Sequence, residues 1–176
     1  MDTFGNLLPD TTRVGFSIIH PDKAGTSGKD RLYGGIAAVD ISGGTISGKG
    51  FAMATVGAVA SREMDFLEVS GDPIDFRIKA SVHSTFADGR QTFKIFSDRL
   101  VDKYGNILPE GSIVYFNCYE GNDSIRTITG YTIGGIATIY LQNPVRTGVF
   151  KVNAVTATGA ESNTVVLVFN TPKFEY

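Results

Sequence analysis

Tryptophan is absent from this 176-residue sequence, and cysteine occurs only once, as Cys118. A single thiol cannot form an internal disulfide, so no disulfide framework holds the fold. The 16 basic and 18 acidic residues are interspersed, and Lys and Arg occur mostly singly. Nucleic-acid binding requires a clustered basic patch, so we expect no nucleic-acid partner.

Long apolar runs are also missing. None approaches the length of a membrane helix, and the early acid Asp2 is untypical of a signal peptide. We therefore expect no membrane insertion in this segment, and any export signal to lie outside it unless the export route is different. Because 42% of the residues are hydrophobic, the chain can still bury a packed core.

An internal repeat with an offset of one hundred residues is the main signal. Residues 2–16 read DTFGNLLPDTTRVGF, and residues 102–116 read DKYGNILPEGSIVYF. Gly-Gly-Ile-Ala also occurs twice, at 34–37 and at 134–137. Two blocks that share one offset indicate a duplicated structural unit.

Two weaker matches extend the repeat. Residues 48–58 resemble 147–157 with a slip of about one residue, and Pro73 and Pro172 both follow apolar runs. The resemblance therefore continues to the end of each unit.

Apolar residues alternate with a period of two, as in Val14, Phe16 and Ile18. Such alternation predicts short strands with one buried face, and Gly-, Asn- and Pro-rich turns between them favour an antiparallel sandwich or barrel. The same pattern recurs at Phe93 and Ile95; at Val114, Phe116 and Cys118; at Ala137, Ile139 and Leu141; and at Phe150, Val152 and Ala154. Only residues 60–65 come near a helical pattern, and they are too few for a helix.

The repeated Asp-x-aromatic-Gly-Asn segment predicts a tight corner between strands. An Asp side chain can accept a hydrogen bond from the backbone two residues on, and Gly and Asn tolerate positive φ. A rival interpretation makes Asp, Asn and an acid four residues later into calcium ligands. Calcium takes six or more oxygens, so the turn is favoured. The rival ligand sets are Asp2, Asn6 and Asp10, or Asp102, Asn106 and Glu110.

The corner leads through Pro into a Val-x-Phe strand, and this order resembles the group 1 bacterial immunoglobulin-like domains of invasin- and intimin-type adhesins. Ala87-Asp88-Gly89 before TFKIFS, Gly135-Ile136-Ala137 and Gly148–Val152 match further strands of that family. The resemblance covers nearly all of 73–172 and, more weakly, 2–72. It implies an all-β fold of tandem immunoglobulin-like antiparallel β-sandwiches. Members of the family usually act as rigid spacers, and similar modules decorate phage tails and capsids.

The repeat predicts three segments. Residues 1–72 form an immunoglobulin-like repeat without its first strands, residues 73–172 form a complete one, and residues 173–176 begin a further repeat or a tail. The incomplete repeat is explained by a fragment cut from a longer array, by strands added from a neighbouring molecule, or by a fold of its own.

No catalytic, cofactor-binding or metal site is predicted. Cys118 takes the place of Ile18 and is expected in the core. His20 and His83 stand alone and are expected in loops or at the surface. Asp72 and Asp75 flank the joint between the repeats, where a calcium site is the less favoured alternative.

Two polar segments are interpreted as connections. The glycine-rich run 42–50 lacks the spacing of a phosphate-binding loop and is expected to be a hairpin turn. Residues 20–33 are expected to form a long polar loop, either a recognition loop or a solvated connection.

These features favour a non-enzymatic structural spacer or adhesion module of an extracellular bacterial surface or virion protein. A host-cell or surface receptor, bound through loops, and a second copy, joined by strand addition, are the expected partners. One alternative is a self-assembling fibre subunit completed by strand exchange. Another is a carbohydrate-binding accessory module, although the tyrosines form no obvious platform. No acid and base pair supports a hydrolase.

Overall fold

The computed structural model describes residues 5–171, which contain twelve β-strands and no helix. No stretch of these residues forms a helix capable of crossing a bilayer. The chain divides into two compact units, unit 1 (Met1–Val69) and unit 2 (Ser70–Tyr176). The all-β prediction is confirmed for the described residues. Asp2, Phe4, Pro172 and residues 173–176, which the sequence analysis used, lie outside them.

Unit 1 is a single antiparallel sheet. Its strand order is β2-β1-β3-β4, and β5 also pairs with β3. The strands are β1 (Arg13–Ile19), β2 (Gly25–Arg31), β3 (Gly48–Val56), β4 (Val59–Ala60) and β5 (Met64–Glu68). Only Val14 and Ile18 are fully buried apolar side chains among the described residues of this unit.

Unit 2 has seven strands in the order β12-β11-β8-β9-β10-β7-β6. The strands are β6 (Ile78–Ser81), β7 (Thr92–Ser97), β8 (Ile113–Glu120), β9 (Asp123–Ile133), β10 (Ile136–Gln142), β11 (Gly148–Thr156) and β12 (Val165–Phe169). Isolated bridges at Phe76–Ser162 and Phe86–Asn170 bring the two ends of this order together. The strands thus enclose one core in a sandwich-like fold.

Aromatic rings fill the centre of unit 2. The rings of Phe93 and Phe150 meet edge to face at 5.8 Å between centroids, and Phe169 lies 5.6 Å from Phe93. The alternating residues predicted for β7, β8, β10 and β11 are all buried in this core. Period-two alternation therefore identified the inner face of each strand correctly.

The two units pair their strands in the same register, one hundred positions apart. Phe16 lies opposite Ala54 and Gly28, while Phe116 lies opposite Ala154 and Ile128. The predicted slip between 48–58 and 147–157 is therefore wrong, because β3 and β11 match without it. Gly48 and Gly148 begin these strands with nearly the same φ, 150° and 151°.

Two predicted loops of unit 1 are also wrong. Residues 25–31 form β2, which pairs with β1 as a hairpin, so the polar segment 20–33 is not one long loop. The sequence of β2, GTSGKDR, has no apolar residues at alternate positions, so the alternation pattern could not indicate a strand there. The run 42–50 is no hairpin turn, because β2 and β3 both flank β1 and the chain crosses between them before Gly48.

The two units differ in the segments that follow β2 and β9 in the chain. In unit 2, β9 pairs with β10, and β10 pairs with β7. In unit 1 the Tyr33–Ile36 bridge repeats the start of the β9–β10 pairing, but the following residues 37–42 form no strand. No described strand of unit 1 occupies the place of β7, so no described strand pairs with this segment on that side.

Candidate functional site

Cys118 and His83 have the ordinary roles expected of them. Cys118 is fully buried in the core of unit 2, and burial raises the pKa of its thiol against the opposing effect of Arg126. The thiol is therefore held protonated and away from solvent, which fits a small core residue. His83 lies in the segment between β6 and β7, and it is exposed.

His20 lies in the loop between β1 and β2, as one of the two expectations had it, but it is neither exposed nor isolated. It is buried, with Nδ1 2.7 Å from Glu68 Oε1 and Nε2 3.0 Å from Thr26 Oγ1. The contact with Glu68 joins residues 48 positions apart, so no local spacing could have revealed it. Its ring also meets Phe66 edge to face at 6.3 Å between centroids.

Asp102 holds the predicted corner. Its Oδ1 accepts hydrogen bonds from the backbone N–H of Tyr104 at 2.8 Å and of Asn106 at 2.9 Å. Its Oδ2 accepts from Gly71 N–H and from Asn106 Nδ2, both at 2.9 Å. Burial alone would raise the pKa of this carboxyl, but the hydrogen bonds from Asn106, Gly71 and Tyr104 outweigh burial and lower the pKa to about 2.

The calcium interpretation gains no support at this corner. Four donors already occupy the Asp102 carboxylate, and Glu110 accepts a hydrogen bond from the backbone N–H of Gly134 at 2.8 Å. Asp75 accepts one from the N–H of Glu161 at 3.0 Å. Within residues 5–171, no three His, Cys, Asp or Glu side chains converge in a way that could hold a metal ion.

An open apolar groove in unit 1 is the most distinctive surface of the described chain. Its volume is about 500 Å³, and it lies on the face of β1 and β3 that carries Phe16, Ile18, Ala52 and Ala54. Ile41 and Met64 form its rims, and both are exposed. Phe16 is only half-buried whereas Phe116 is fully buried, so the face of unit 1 is less shielded from solvent at this position than the equivalent face of unit 2.

Two residues before Ala52, the chain covers the same face of β3 itself. Gly50 takes the position of Phe150, and the ring of Phe66 fills the space above it. A Cβ placed on Gly50 would lie only 2.3 Å from Phe66 Cζ, so this packing requires glycine. Beside it lies the buried His20–Glu68 contact, in which Glu68 stands opposite Gly48 as Phe169 stands opposite Gly148 in unit 2.

The tyrosines considered for sugar binding lie on different elements. Tyr104 is at the corner, Tyr115 on β8, Tyr131 on β9 and Tyr140 on β10, and all are exposed, while Tyr33 lies in unit 1. Stacking on a sugar requires rings gathered on one flat face. Tyr115 and Tyr131 lie on the outward face of neighbouring strands, but Tyr33 and Tyr104 lie elsewhere, so the tyrosines considered are not all gathered on one face.

Comparison with known proteins identifies the architecture. Bacterial invasin, described as an integrin-binding protein, matches over 98% of this chain at 20% identity with a TM-score of 0.52. The chain shares the fold of invasin. The D0–D1 domains of intimin match over 97% of this chain and 87% of their own length, at 18% identity and a TM-score of 0.41.

The similarity to these larger proteins extends over only part of their length. The chain spans about a third of the invasin chain, which it covers to 34%. A family 2 β-glucuronidase matches more loosely, at 15% identity and a TM-score of 0.44, over 92% of this chain and 18% of the enzyme. No protein-family model matches the chain, and no curated protein matches its sequence. The invasin-type immunoglobulin-like fold expected from the corner motif is thus confirmed at the level of the fold.

Proposed function

We propose that the chain is a non-enzymatic spacer or adhesion module from a tandem immunoglobulin-like array of an extracellular bacterial surface or virion protein. The observation that carries the proposal is the way in which unit 2 fastens its first segment to its last. A spacer transmits tension along the chain, so its two ends must be joined by bonds that resist sliding.

The fastening is a row of backbone hydrogen bonds between parallel segments. The N–H of Phe76 donates to Glu161 O at 3.1 Å, and the N–H of Ala87 donates to Asn170 O at 2.8 Å. The N–H of Asn170 in turn donates to Thr85 O at 2.8 Å. When the two ends of unit 2 are pulled apart, these parallel segments slide past each other, so the bonds are loaded together in shear.

Asn163 adds a side-chain clamp to the same seam. Its Oδ1 accepts from the N–H of Ile78 at 2.8 Å, and its Nδ2 donates to Ile78 O at 3.3 Å. One side chain therefore satisfies both backbone groups of the first core residue of β6. Asp75 and Glu161 extend the seam toward the start of the unit.

Single-molecule force spectroscopy tests the spacer role. Unit 2 should unfold in one step that releases about 350 Å, since roughly 100 residues extend by about 3.5 Å each. Asn163→Ala should lower the unfolding force, while Asn117→Ala, on β8 outside the seam, should leave it unchanged. Equal forces for both variants, or extension without a resolved step, would contradict a mechanical role.

Adhesion is tested separately. Invasin binds integrin by its description, so an immobilised chain is exposed to a purified integrin ectodomain. Saturable binding would assign adhesion to this segment. No binding together with a strong mechanical step would assign it the spacer role alone.

A further inference from the structure

Three residues of unit 1 form a chain of hydrogen bonds that runs from a carboxylate to an exposed hydroxyl. Glu68 Oε1 lies 2.7 Å from His20 Nδ1, and His20 Nε2 lies 3.0 Å from Thr26 Oγ1. The histidine is buried, whereas Thr26 is exposed on β2. Unit 2 does not repeat this arrangement, because Glu120 and Arg126 occupy the places of His20 and Thr26 one hundred positions on.

The hydrogen bonds fix which nitrogen of His20 carries the proton. An ionised carboxylate only accepts hydrogen bonds, so Nδ1 donates to Glu68. In the neutral imidazole Nε2 is then without a proton and accepts, so the hydroxyl of Thr26 donates to it. Glu68 Oε1 also accepts a hydrogen bond from the backbone N–H of Gly44 at 3.0 Å. The hydroxyl hydrogen of Thr26 is therefore directed at a base whose orientation is fixed.

This order of groups is the one that nucleophilic attack by a hydroxyl requires. A hydroxyl is a weak nucleophile until an adjacent base takes its proton, and a third group must orient that base. Acid, imidazole and hydroxyl stand in the same order in acyl-transferring enzymes of unrelated folds, which are recognised by geometry and not by sequence position. Thr26, His20 and Glu68 meet this geometric criterion.

The backbone beside Thr26 offers donors for the oxygen that becomes charged during acyl transfer. His20 N–H donates to Ala24 O, so the ladder bonds fall on this pair and on every second pair from it, including the pair that contains Thr26. The N–H groups of Gly25 and Ser27 consequently point away from β1, toward an edge of β2 that no described strand occupies. A carbonyl oxygen at this edge can accept from them, as an oxyanion does.

We propose that Thr26 is an acyl acceptor for an activated carboxylic ester, with His20 as general base and Glu68 as a positioning residue. Thr26 Oγ1 bonds to the carbonyl carbon, and the bond from that carbon to the alcohol oxygen of the donor breaks. The hydroxyl proton passes to His20 Nε2 and then to the departing alcohol. The products are an ester of Thr26 and a free alcohol. Because the ester forms on the chain itself, unit 1 becomes covalently attached to the acyl group, a property beyond the spacer or adhesion role.

p-Nitrophenyl acetate, added to the full 176-residue chain, is the probe. The expected result is release of p-nitrophenolate together with an acetyl group on the peptide that contains Thr26, located by mass spectrometry. Hydroxylamine should remove this group, because it cleaves acetyl esters but not the acetyl amides that lysines form. Thr26→Ser should retain the reaction, whereas Thr26→Val, which keeps the shape of the side chain, should abolish the hydroxylamine-sensitive acetyl group.

The role of the base is tested at His20. His20→Ala should slow acetylation of Thr26 about a hundredfold or more, the smaller end of general-base effects, and free imidazole should restore part of the rate. Glu68→Gln should also slow it, since the amide no longer stabilises the charged ring. Thr129, an exposed threonine on β9, is the internal control and should remain unacetylated. Hydrogen exchange of β1 shows whether unit 1 of each variant remains folded.

Two results would overturn the proposal. One is the absence of a hydroxylamine-sensitive acetyl group on Thr26 of the unmodified chain, or its formation no faster than on Thr129. The other is an unchanged rate in a folded His20→Ala variant. Should that variant unfold, the comparison of Thr26 with Thr129 still decides. Neither result bears on the unfolding force of unit 2, so failure here is separable from failure of the spacer role.

Discussion

Phe16 and Phe116 are both phenylalanines in the same strand register, yet their burial differs because a covering layer is described only in unit 2. Removal of a fully buried phenylalanine leaves a cavity as well as losing transfer free energy. Phe116→Ala should therefore lower the free energy of unfolding of unit 2 by about 3–5 kcal/mol.

Phe16→Ala should cost unit 1 clearly less, because that ring is half-exposed and its loss enlarges an open groove instead of creating a cavity. Urea unfolding followed by hydrogen exchange of each unit measures both values. Equal losses of stability in the two units would mean that the face of unit 1 is covered.

Asp102 provides a second residue-scale prediction. Its carboxylate accepts four hydrogen bonds that fasten residue 71 to the corner, so Asp102→Asn should destabilise unit 2 by about 2 kcal/mol at pH 7. The matched control is Asp98→Asn, which removes the exposed ion pair with Lys79 and should change stability by less than about 0.5 kcal/mol.

The same residue predicts a pH dependence. The pKa of Asp102 is lowered from 3.8 to about 2 in the folded chain. Its contribution is therefore complete above about pH 4 and is lost as the pH falls through 2. The difference in unfolding free energy between the unmodified chain and Asp102→Asn should shrink over that interval. A difference that stays constant down to pH 2 would show that the carboxylate is not held by these donors.

At the scale of elements, residues 37–42 and 137–142 form the sharpest contrast. Amides of β10 are paired with β7 and should exchange slowly. Those of 37–42 should exchange at close to the rate of an unstructured peptide, except the amide of Ala38, which donates to Asp30 Oδ2 at 2.8 Å. Hydrogen exchange with mass spectrometry measures both segments in one experiment. Slow exchange in the other amides of 37–42 would contradict the open face.

Much of the element order could be predicted from the sequence, because alternation identified the inner faces of β7, β8, β10 and β11. It failed for β2, whose sequence GTSGKDR has no apolar face and becomes a strand only through its pairing with β1. The His20–Glu68 contact was out of reach for a related reason, since the pairing of β3 with β5 brings Glu68 to it. Local alternation predicts which side of an apolar strand is buried. Polar strands such as β2 and long-range contacts such as His20–Glu68 depend on tertiary pairing.

At the scale of the whole molecule, the two units differ greatly in the core each can build. Val14 and Ile18 are the fully buried apolar side chains described in unit 1, whereas unit 2 encloses a continuous cluster that includes Phe93, Phe116 and Phe169. Because burial of apolar surface is the main favourable term in folding, unit 1 should lose exchange protection at a lower urea concentration than unit 2. A single coincident transition would indicate that the units unfold together.

The described strands of both units share one register, and the described residues of unit 1 lack the layer that covers the equivalent face in unit 2. Interstrand backbone nuclear Overhauser effects test this register directly. The predicted result is that Phe16 lies opposite Ala54 just as Phe116 lies opposite Ala154. Phe16 opposite Met53 or Thr55 would turn the other face of β3 toward the groove and would contradict the account.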